Sequence, residues 1–207
     1  YLRENYATSV ELARYRQEYD MLNALSQVDG VIRVLELEKH QNIPYLILED
    51  FGGESLKQLF INQALSITEF LPLAIQMAHV LGEVHATNII HKDLNPSNFL
   101  LNPQTGQLKL IDFGIATRLP RENPTLKNPN NLEGTLLYLS PEQTGRMNRR
   151  IDYRTDLYSL GVSFYELLTG HLPFESEDAM ELVHYHLARN PTPPCLLNPA
   201  IPKSLSD

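Results

Sequence analysis

Apolar positions recur at two different periods along this chain, and the changes of period divide it into elements. Over residues 8–25, Leu12, Tyr15, Tyr19 and Leu22 return every three to four positions, the spacing of one face of an α-helix. Thr8 and Glu11 stand at capping-box spacing at its start, where each side chain can satisfy an orphan N–H of the first turn. Two short runs then suit strands, Val31–Leu37 and Tyr45–Glu49. The Tyr-Leu-Ile-Leu of the second is apolar at successive positions, the pattern of a strand buried on both faces. Asp50-Phe51-Gly52-Gly53 breaks that run and predicts a bend between two blocks.

The helical period returns from Thr68 to His85, with Leu71, Ile75, Ala78 and Leu81 in line. Pro72 is expected near the first turn, because deeper in the helix it would delete a ladder hydrogen bond. Asn98–Leu101 and Leu108–Ile111 flank Pro103-Gln104-Thr105-Gly106 and predict a hairpin. Residues 115–140 carry no sustained period and are rich in Pro, Asn, Thr and Arg; this is a long loop of the kind that carries function or moves. Asp156–Thr169 is apolar nearly all round, as in a helix at the centre of a core, and Gly170 and Pro173 end it. A last amphipathic helix is expected over Ser176–Ala188, followed by a tail with five prolines between Pro191 and Pro202. Few strands first and mostly helices afterwards predict an α+β fold, with a small sheet-bearing part before a larger helical part.

At 207 residues and 43% hydrophobic, the chain has the material for a real core. A net charge of −8 argues against nucleic acid or an anionic membrane surface as its principal partner. Cys195 is the only cysteine, which excludes a disulfide framework and fits a reducing, cytoplasmic setting. No apolar run approaches roughly eighteen residues, so no membrane segment is predicted. The chain opens on Tyr1 without a leader and reads as a piece of a longer polypeptide.

The chemistry concentrates in His91-Lys92-Asp93-Leu94-Asn95-Pro96-Ser97-Asn98, followed fourteen residues later by Asp112-Phe113-Gly114. Phosphoryl transfer asks a protein for positioning and charge neutralisation. It needs hard oxygen ligands for magnesium and one carboxylate near the acceptor hydroxyl. Asp93, Asn98 and Asp112 are such oxygen donors, and the hairpin brings the strand ends carrying Asn98 and Asp112 together. Taken singly, each could equally cap a turn; their spacing as a set favours chemistry. His91 reads as a packed, hydrogen-bonded histidine rather than an acid or base.

This order of motifs resembles a eukaryotic-type serine/threonine protein kinase. H-R-D-L-x-x-x-x-N stands as His91 to Asn98, D-F-G is unaltered, and A-P-E stands as Ser140-Pro141-Glu142 behind Gly134-Thr135. Asp156-Leu157-Tyr158-Ser159-Leu160-Gly161 is similar to the family's D-x-W-S-x-G, and Tyr45–Gly53 to its last small-lobe strand and hinge. The stretch from Gly134 to Arg150 is similar to the kinase module at the front of large bacterial sensor proteins, where ATPase and histidine kinase domains follow.

The resemblance implies a kinase-like fold, with residues 1–50 a partial N-lobe and 51–207 a C-lobe truncated before its last helices. It implies ATP and Mg2+ as cofactors and a protein substrate carrying the Ser or Thr acceptor. Residue by residue, Asp93 would receive the hydroxyl proton, Asn98 and Asp112 would hold magnesium, and Glu18 would pair the nucleotide-binding lysine. Glu49 and Phe51 would offer backbone groups to adenine, Leu100 would line the nucleotide's site, and Thr135 would sit against Asp93. Asp156 would brace the catalytic loop.

Departures from the pattern set further expectations. The glycine-rich loop and third-strand lysine are absent, the lysine's place falling at or before Tyr1, so these 207 residues by themselves should bind ATP poorly. The arginine that would pair Glu142 is missing too. Lys92 replaces the catalytic-loop arginine and cannot fork onto a phosphate, which argues against gating by phosphorylation. Asn95 stands where a lysine usually faces the transferred phosphate. Lys92 and Asn95 leave open a second reading, a pseudokinase that keeps the fold as a regulatory module. A small-molecule kinase fits less well, since that type lacks the Gly-Thr loop and Ser-Pro-Glu. Arg146, Arg149 and Arg150 suit either a phosphate or a partner, or plain solvent exposure.

Overall fold

The computed structural model describes residues 9–40, 43–60, 63–119, 135–147 and 149–206. Helix α1 (Ser9–Ala24) forms as its period predicts, with Leu22 fully buried and Leu12, Tyr15 and Tyr19 half-buried. Thr8 and the side chain of Glu11, expected to cap it, lie outside the described residues. Strands β1 (Val34–His40) and β2 (Ile43–Leu48) pair antiparallel, with an irregularity between Val34 and Glu36. The first strand starts later than its pattern suggests. Val31 instead makes a parallel bridge to Leu110, and Ile32 N–H donates to Leu110 O at 3.0 Å.

The expectation of a strand buried on both faces at Tyr45–Glu49 is corrected. Tyr45 is 38% and Leu48 39% exposed. A two-sided apolar pattern needs cover on both faces, and among the described residues β2 has only β1 as a strand partner.

The larger part holds β3 (Glu54–Ser55), α2 (Leu56–Leu59), α3 (Ile67–Ala86), β4 (Ile89–Ile90), β5 (Phe99–Leu101), β6 (Leu108–Leu110) and β7 (Thr117–Arg118). β3, β5 and β6 form one sheet, and β4 pairs β7. Helices α4 (Arg154–Thr169), α5 (Ala179–Ala188), α6 (Pro194–Leu197) and α7 (Lys203–Ser206) follow, the last two inside the proline-rich tail. Pro193 and Pro194 lead into α6 because proline is preset for a helix's first residues. Helix α5 starts later than expected, at the cap residue Asp178, whose carboxylate accepts from Met180 and Glu181 N–H. Gly170 (φ 75°) ends α4, its N–H donating to Glu166 O at 2.8 Å.

Helix α3 corrects two expectations. Ser66 and Glu69 form a full capping box, which starts the helix at Ile67 and makes Pro72 its sixth residue, past the first turn. The ladder bond that Pro72 cannot make falls on an exposed position, where water can serve the freed carbonyl. The buried face is Phe70, Leu73, Met77, Val80, Leu81 and Val84. Leu71 and Ile75 are instead 43% and 67% exposed, and Ala78 is exposed as well. This helix is apolar on more than one face, so its period marks a helix without choosing the side that packs.

One core cluster joins the two parts, from Leu22, Val31 and Ile32 through Met77, Val80 and Phe99 to Leu160 and Leu168. Gly30 sits at that junction: its carbonyl accepts from Leu110 N–H, and a Cβ there would lie 2.0 Å from Val80 Cγ2. Only glycine permits so close an approach.

Candidate active site

The loop between β4 and β5 is held from beneath by Asp156 in the first turn of α4. Its fully buried carboxylate accepts from His91 N–H (2.9 Å), Lys92 N–H (2.8 Å) and His85 Nε2 (2.8 Å). Lys92 takes a positive φ of 69°, a conformation costing roughly 1–2 kcal/mol for a residue with a side chain. The Asp156 bonds and Gln143 Nε2, which donates to Lys92 O at 2.7 Å, over-determine it. His91 is the packed histidine its setting suggests. Its Nε2 donates to Ile111 O (2.9 Å), Nδ1 accepts from Asp93 N–H (3.3 Å), and its ring packs edge-on to Phe113 at 4.7 Å.

Asp93 is brought beside Thr135, whose N–H donates to Oδ1 at 2.7 Å. Burial pushes the Asp93 carboxyl up, the charge of Asp112 adds to that, and Thr135 and His91 oppose it. Asn98 Nδ2 donates to Asp93 O at 2.8 Å, and Ile111 N–H donates to Asn98 O at 2.9 Å, which ties the loop to the far end of the hairpin. Asp112 follows at a positive φ of 64°, with its carboxylate exposed and Gly114 N–H directed at Oδ1 (3.3 Å). Asp93, Asn98, Asp112 and Thr135 therefore share one neighbourhood. Asn95, by contrast, turns inward: its Oδ1 accepts from Ser97 N–H (2.9 Å) and its Nδ2 donates to Asp93 O (3.0 Å).

Glu18 reaches the same place from α1. A Cβ on Gly114 would lie 3.3 Å from Asp112 Oδ1 and 3.8 Å from Glu18 Oε2, so the two carboxylates flank that glycine. Burial, and then the charge of Asp112, push the Glu18 carboxyl up to about 7. No cation pairs with it among the described residues. Gln17, one residue earlier, donates from Nε2 to Ala116 O at 2.6 Å and ties α1 to the segment after Asp112.

Just past the end of β2, Glu49 accepts from Arg33 N–H (2.8 Å) and pairs with Lys109, whose ammonium lies 5.2 Å over the Phe51 ring. Burial alone would raise the Glu49 carboxyl, but Lys109 and Arg33 together hold it below its ordinary value. Glu49 N–H is engaged by Arg33 O, and Phe51 O by Asn102 Nδ2 at 2.8 Å. That leaves Glu49 O and Phe51 N–H without partners among the described residues, an acceptor and a donor two residues apart. Leu100 is half-buried in β5, on the strand face opposite the buried Phe99. Glu142 takes Thr155 Oγ1 at 2.9 Å.

Sequence reasoning missed Gln17, Gln143 and Asn102. Each holds a distant backbone carbonyl, which leaves no spacing signature; only Asn102, just before Pro103, carries a turn signal of its own. Residues 120–134, most of the expected long loop, lie outside the described residues.

Comparison with known proteins agrees with this geometry. Residues 2–197 match the protein kinase domain family. The chain is 33% identical over its whole length to a probable serine/threonine-protein kinase of Clostridium perfringens, covering 30% of that protein. It is 35% identical, over 93% of its length, to the probable serine/threonine-protein kinase PknB of Bifidobacterium longum, covering 29% of it. It is 32% identical over its whole length to the serine/threonine-protein kinase PrkC of Bacillus subtilis, covering 31% of it. The chain thus spans under a third of each of these relatives.

Proposed function

The chain belongs to the protein kinase family, and from that premise we propose that it is part of an ATP- and Mg2+-dependent kinase that phosphorylates serine or threonine hydroxyls of proteins. The observation that carries the reading is the meeting of Asp93, Asn98, Asp112 and Thr135 at one end of the hairpin. Asp93, held at Oδ1 by Thr135 N–H, orients the acceptor hydroxyl and receives its proton as that oxygen bonds to the γ-phosphorus of ATP and the bridging oxygen leaves with ADP. Asn98 spends its amide N–H on Asp93 O, so its Oδ1, with the exposed carboxylate of Asp112, would be the pair to hold a cation; this donor set fits a hard divalent ion. Magnesium, when bound, would neutralise charge on the phosphates. Glu49 O and Phe51 N–H would read the adenine edge, and Leu100 would lie against its face.

In this reading residues 1–50 are part of an N-lobe and 51–207 most of a C-lobe. The parent would work in the cytoplasm as a signalling protein in which further domains follow. The stretch Gly134–Arg150 supports the finer likeness to bacterial sensor proteins with ATPase and histidine kinase domains. No helix among the described residues is long and apolar enough to cross a membrane.

One observation favours a second reading, a regulatory module with little turnover. Asn95 is buried as a cap of its own loop and presents no charge to a phosphate. Transfer from γ-labelled ATP to a generic protein acceptor by the parent protein separates the two. Asp93→Asn should lower it by roughly 10²–10⁴-fold while binding of a fluorescent ATP analogue persists. Trace transfer that is the same in both proteins would favour the regulatory module.

A further inference from the structure

Between the turn Pro141–Thr144, the start of α4 and the end of α5 lies an open hollow of about 290 Å³ that the roles above do not use. Arg149, Arg150 and Arg154 line it, with Glu142 as its one carboxylate. Met147 and Leu187, both half-buried, give it an apolar wall. The two signs of charge are placed differently. Glu142 is half-buried and held, its Oε1 accepting from Thr155 Oγ1 at 2.9 Å. Burial, and then the charge of Glu142, push the hydroxyl of the neighbouring Tyr158 up to about 12, so this carboxylate lies against α4. The three arginines are exposed. Arg154 is balanced by Asp152, donating from Nε to Oδ1 at 3.0 Å and from Nη2 to Oδ2 at 2.7 Å. Arg149 and Arg150 have no such partner among the described residues.

Two adjacent, uncompensated guanidiniums over a hollow are unusual in a chain whose net charge is −8. Exposed charges contribute little to a fold, and two of one sign repel each other. Their planar forks suit a ligand of opposite charge instead, and match a carboxylate in geometry. The position of the hollow says which ligand. Gln143, beside Glu142 in the same turn, donates to Lys92 O of the Asp93 loop at 2.7 Å, so the turn that walls the hollow also touches that loop. Carboxylates spaced along a peptide carry one charge each and can meet Arg149 and Arg150 separately. A phosphate would bring a double charge beside Glu142.

We propose that this hollow docks an acidic stretch of the protein acceptor, with Arg149 and Arg150 pairing its Asp or Glu carboxylates. The proposal rests on the kinase reading given above and names the class of acceptor for it: acidic rather than basic. Charges at the edge of an interface act chiefly on encounter and on salt dependence, which makes the effect measurable in both.

The test uses the parent protein and a variant carrying Arg149→Gln and Arg150→Gln, which touches neither Asp93 nor the groups that hold it. Binding of a fluorescein-labelled poly-glutamate peptide is followed by anisotropy, which needs no turnover. Transfer from γ-labelled ATP is measured to dephosphorylated casein, an acidic acceptor, and to myelin basic protein. Poly-glutamate should bind the variant about tenfold more weakly. The parent's affinity should also fall more steeply with added salt than the variant's, because screening has more charge to act on. KM for casein should rise about fivefold while kcat stays within about twofold. KM for myelin basic protein should hold or fall, and the melting temperature should hold, since neither arginine has a bond to lose.

Equal binding of poly-glutamate by parent and variant, or none by the parent, would overturn the proposal. So would a lower melting temperature with binding unchanged, which would mean that the hollow packs another part of the parent chain. A phosphoserine peptide that displaced poly-glutamate at lower concentration than free poly-glutamate does would overturn the choice of carboxylates. Absence of Asp93-dependent transfer to either acceptor would instead sink the kinase reading, and poly-glutamate binding would still decide whether the hollow takes acidic peptide.

Discussion

Around Asp93 the loop is held from within: Asp156 takes three donors, Lys92 O takes Gln143, Asp93 O takes two amides, and Thr135 N–H closes over the carboxylate. Around Glu18 the opposite holds. Two carboxylates flank Gly114, no described cation stands between them, and the nearby β1–β2 pair leaves Leu35 and Tyr45 58% and 38% exposed. The bonds that hold the Asp93 loop are made among the described residues, whereas the Glu18 side holds unbalanced charge and, on β1 and β2, open apolar surface. The first region should fail when a bond inside it is removed, and the second should respond to charge and solvent.

The largest effect should come from Asp156→Ala. It leaves two backbone N–H groups and His85 without their acceptor in a fully buried place, at roughly 1–3 kcal/mol each in desolvation, partly relieved by rearrangement. A loss of about 3–5 kcal/mol in the unfolding free energy from urea titration is expected; a loss below about 1 kcal/mol would break the picture of a self-contained loop. Gly30→Ala comes next, because its methyl would fall 2.0 Å from Val80 Cγ2, on a short β-branched side chain at the junction of the two regions. Overpacking of this kind destabilises by about 1–3 kcal/mol, and the companion change Val80→Ala should recover part of it.

These contacts differ in how far they could be read ahead. Asp93, Asn98 and Asp112 stand at short spacings around a turn that Pro103 and Gly106 announce, so local chain geometry brings them together. Gln17 and Gln143 reach backbone carbonyls 99 and 51 residues away, and any polar side chain in the neighbourhood would have served equally well in the sequence. Helix α3 was legible as a helix and illegible as a face, because Leu71 and Ile75 share the period of Phe70, Leu73 and Met77. Choosing between them takes knowledge of what packs alongside. The exposure of Tyr45 and Leu48 has the same origin: a strand's sequence states its appetite for cover, not the presence of it.

Glu18 sharpens the contrast through pH. Its folded carboxyl titrates at about 7, against an ordinary 4.5. Between those values the folded state holds a proton that the unfolded state has released, so stability falls as pH rises from about 4.5 to 7 and then levels. Without nucleotide or metal, Glu18→Gln should therefore stabilise the protein at pH 8, by on the order of 2 kcal/mol, and change little at pH 4.5. A variant equally stable relative to the parent at both pH values would show that Glu18 is not squeezed between burial and Asp112.

The smallest effect should come from Lys109→Met, beside the end of β2, where the charge is already balanced. Lys109 pairs with Glu49 and covers the Phe51 ring, and both side chains keep contact with water, 13% and 25% exposed. Such a pair contributes about 1 kcal/mol or less, because solvent and salt already screen much of its attraction. Methionine retains the apolar stem over Phe51, so the loss should shrink further in 1 M salt, where screening acts over roughly 3 Å. A loss that exceeds about 2 kcal/mol and ignores salt would place Lys109 with the buried bonds of the Asp93 loop instead, and the boundary between the two regions would have to move to include β6.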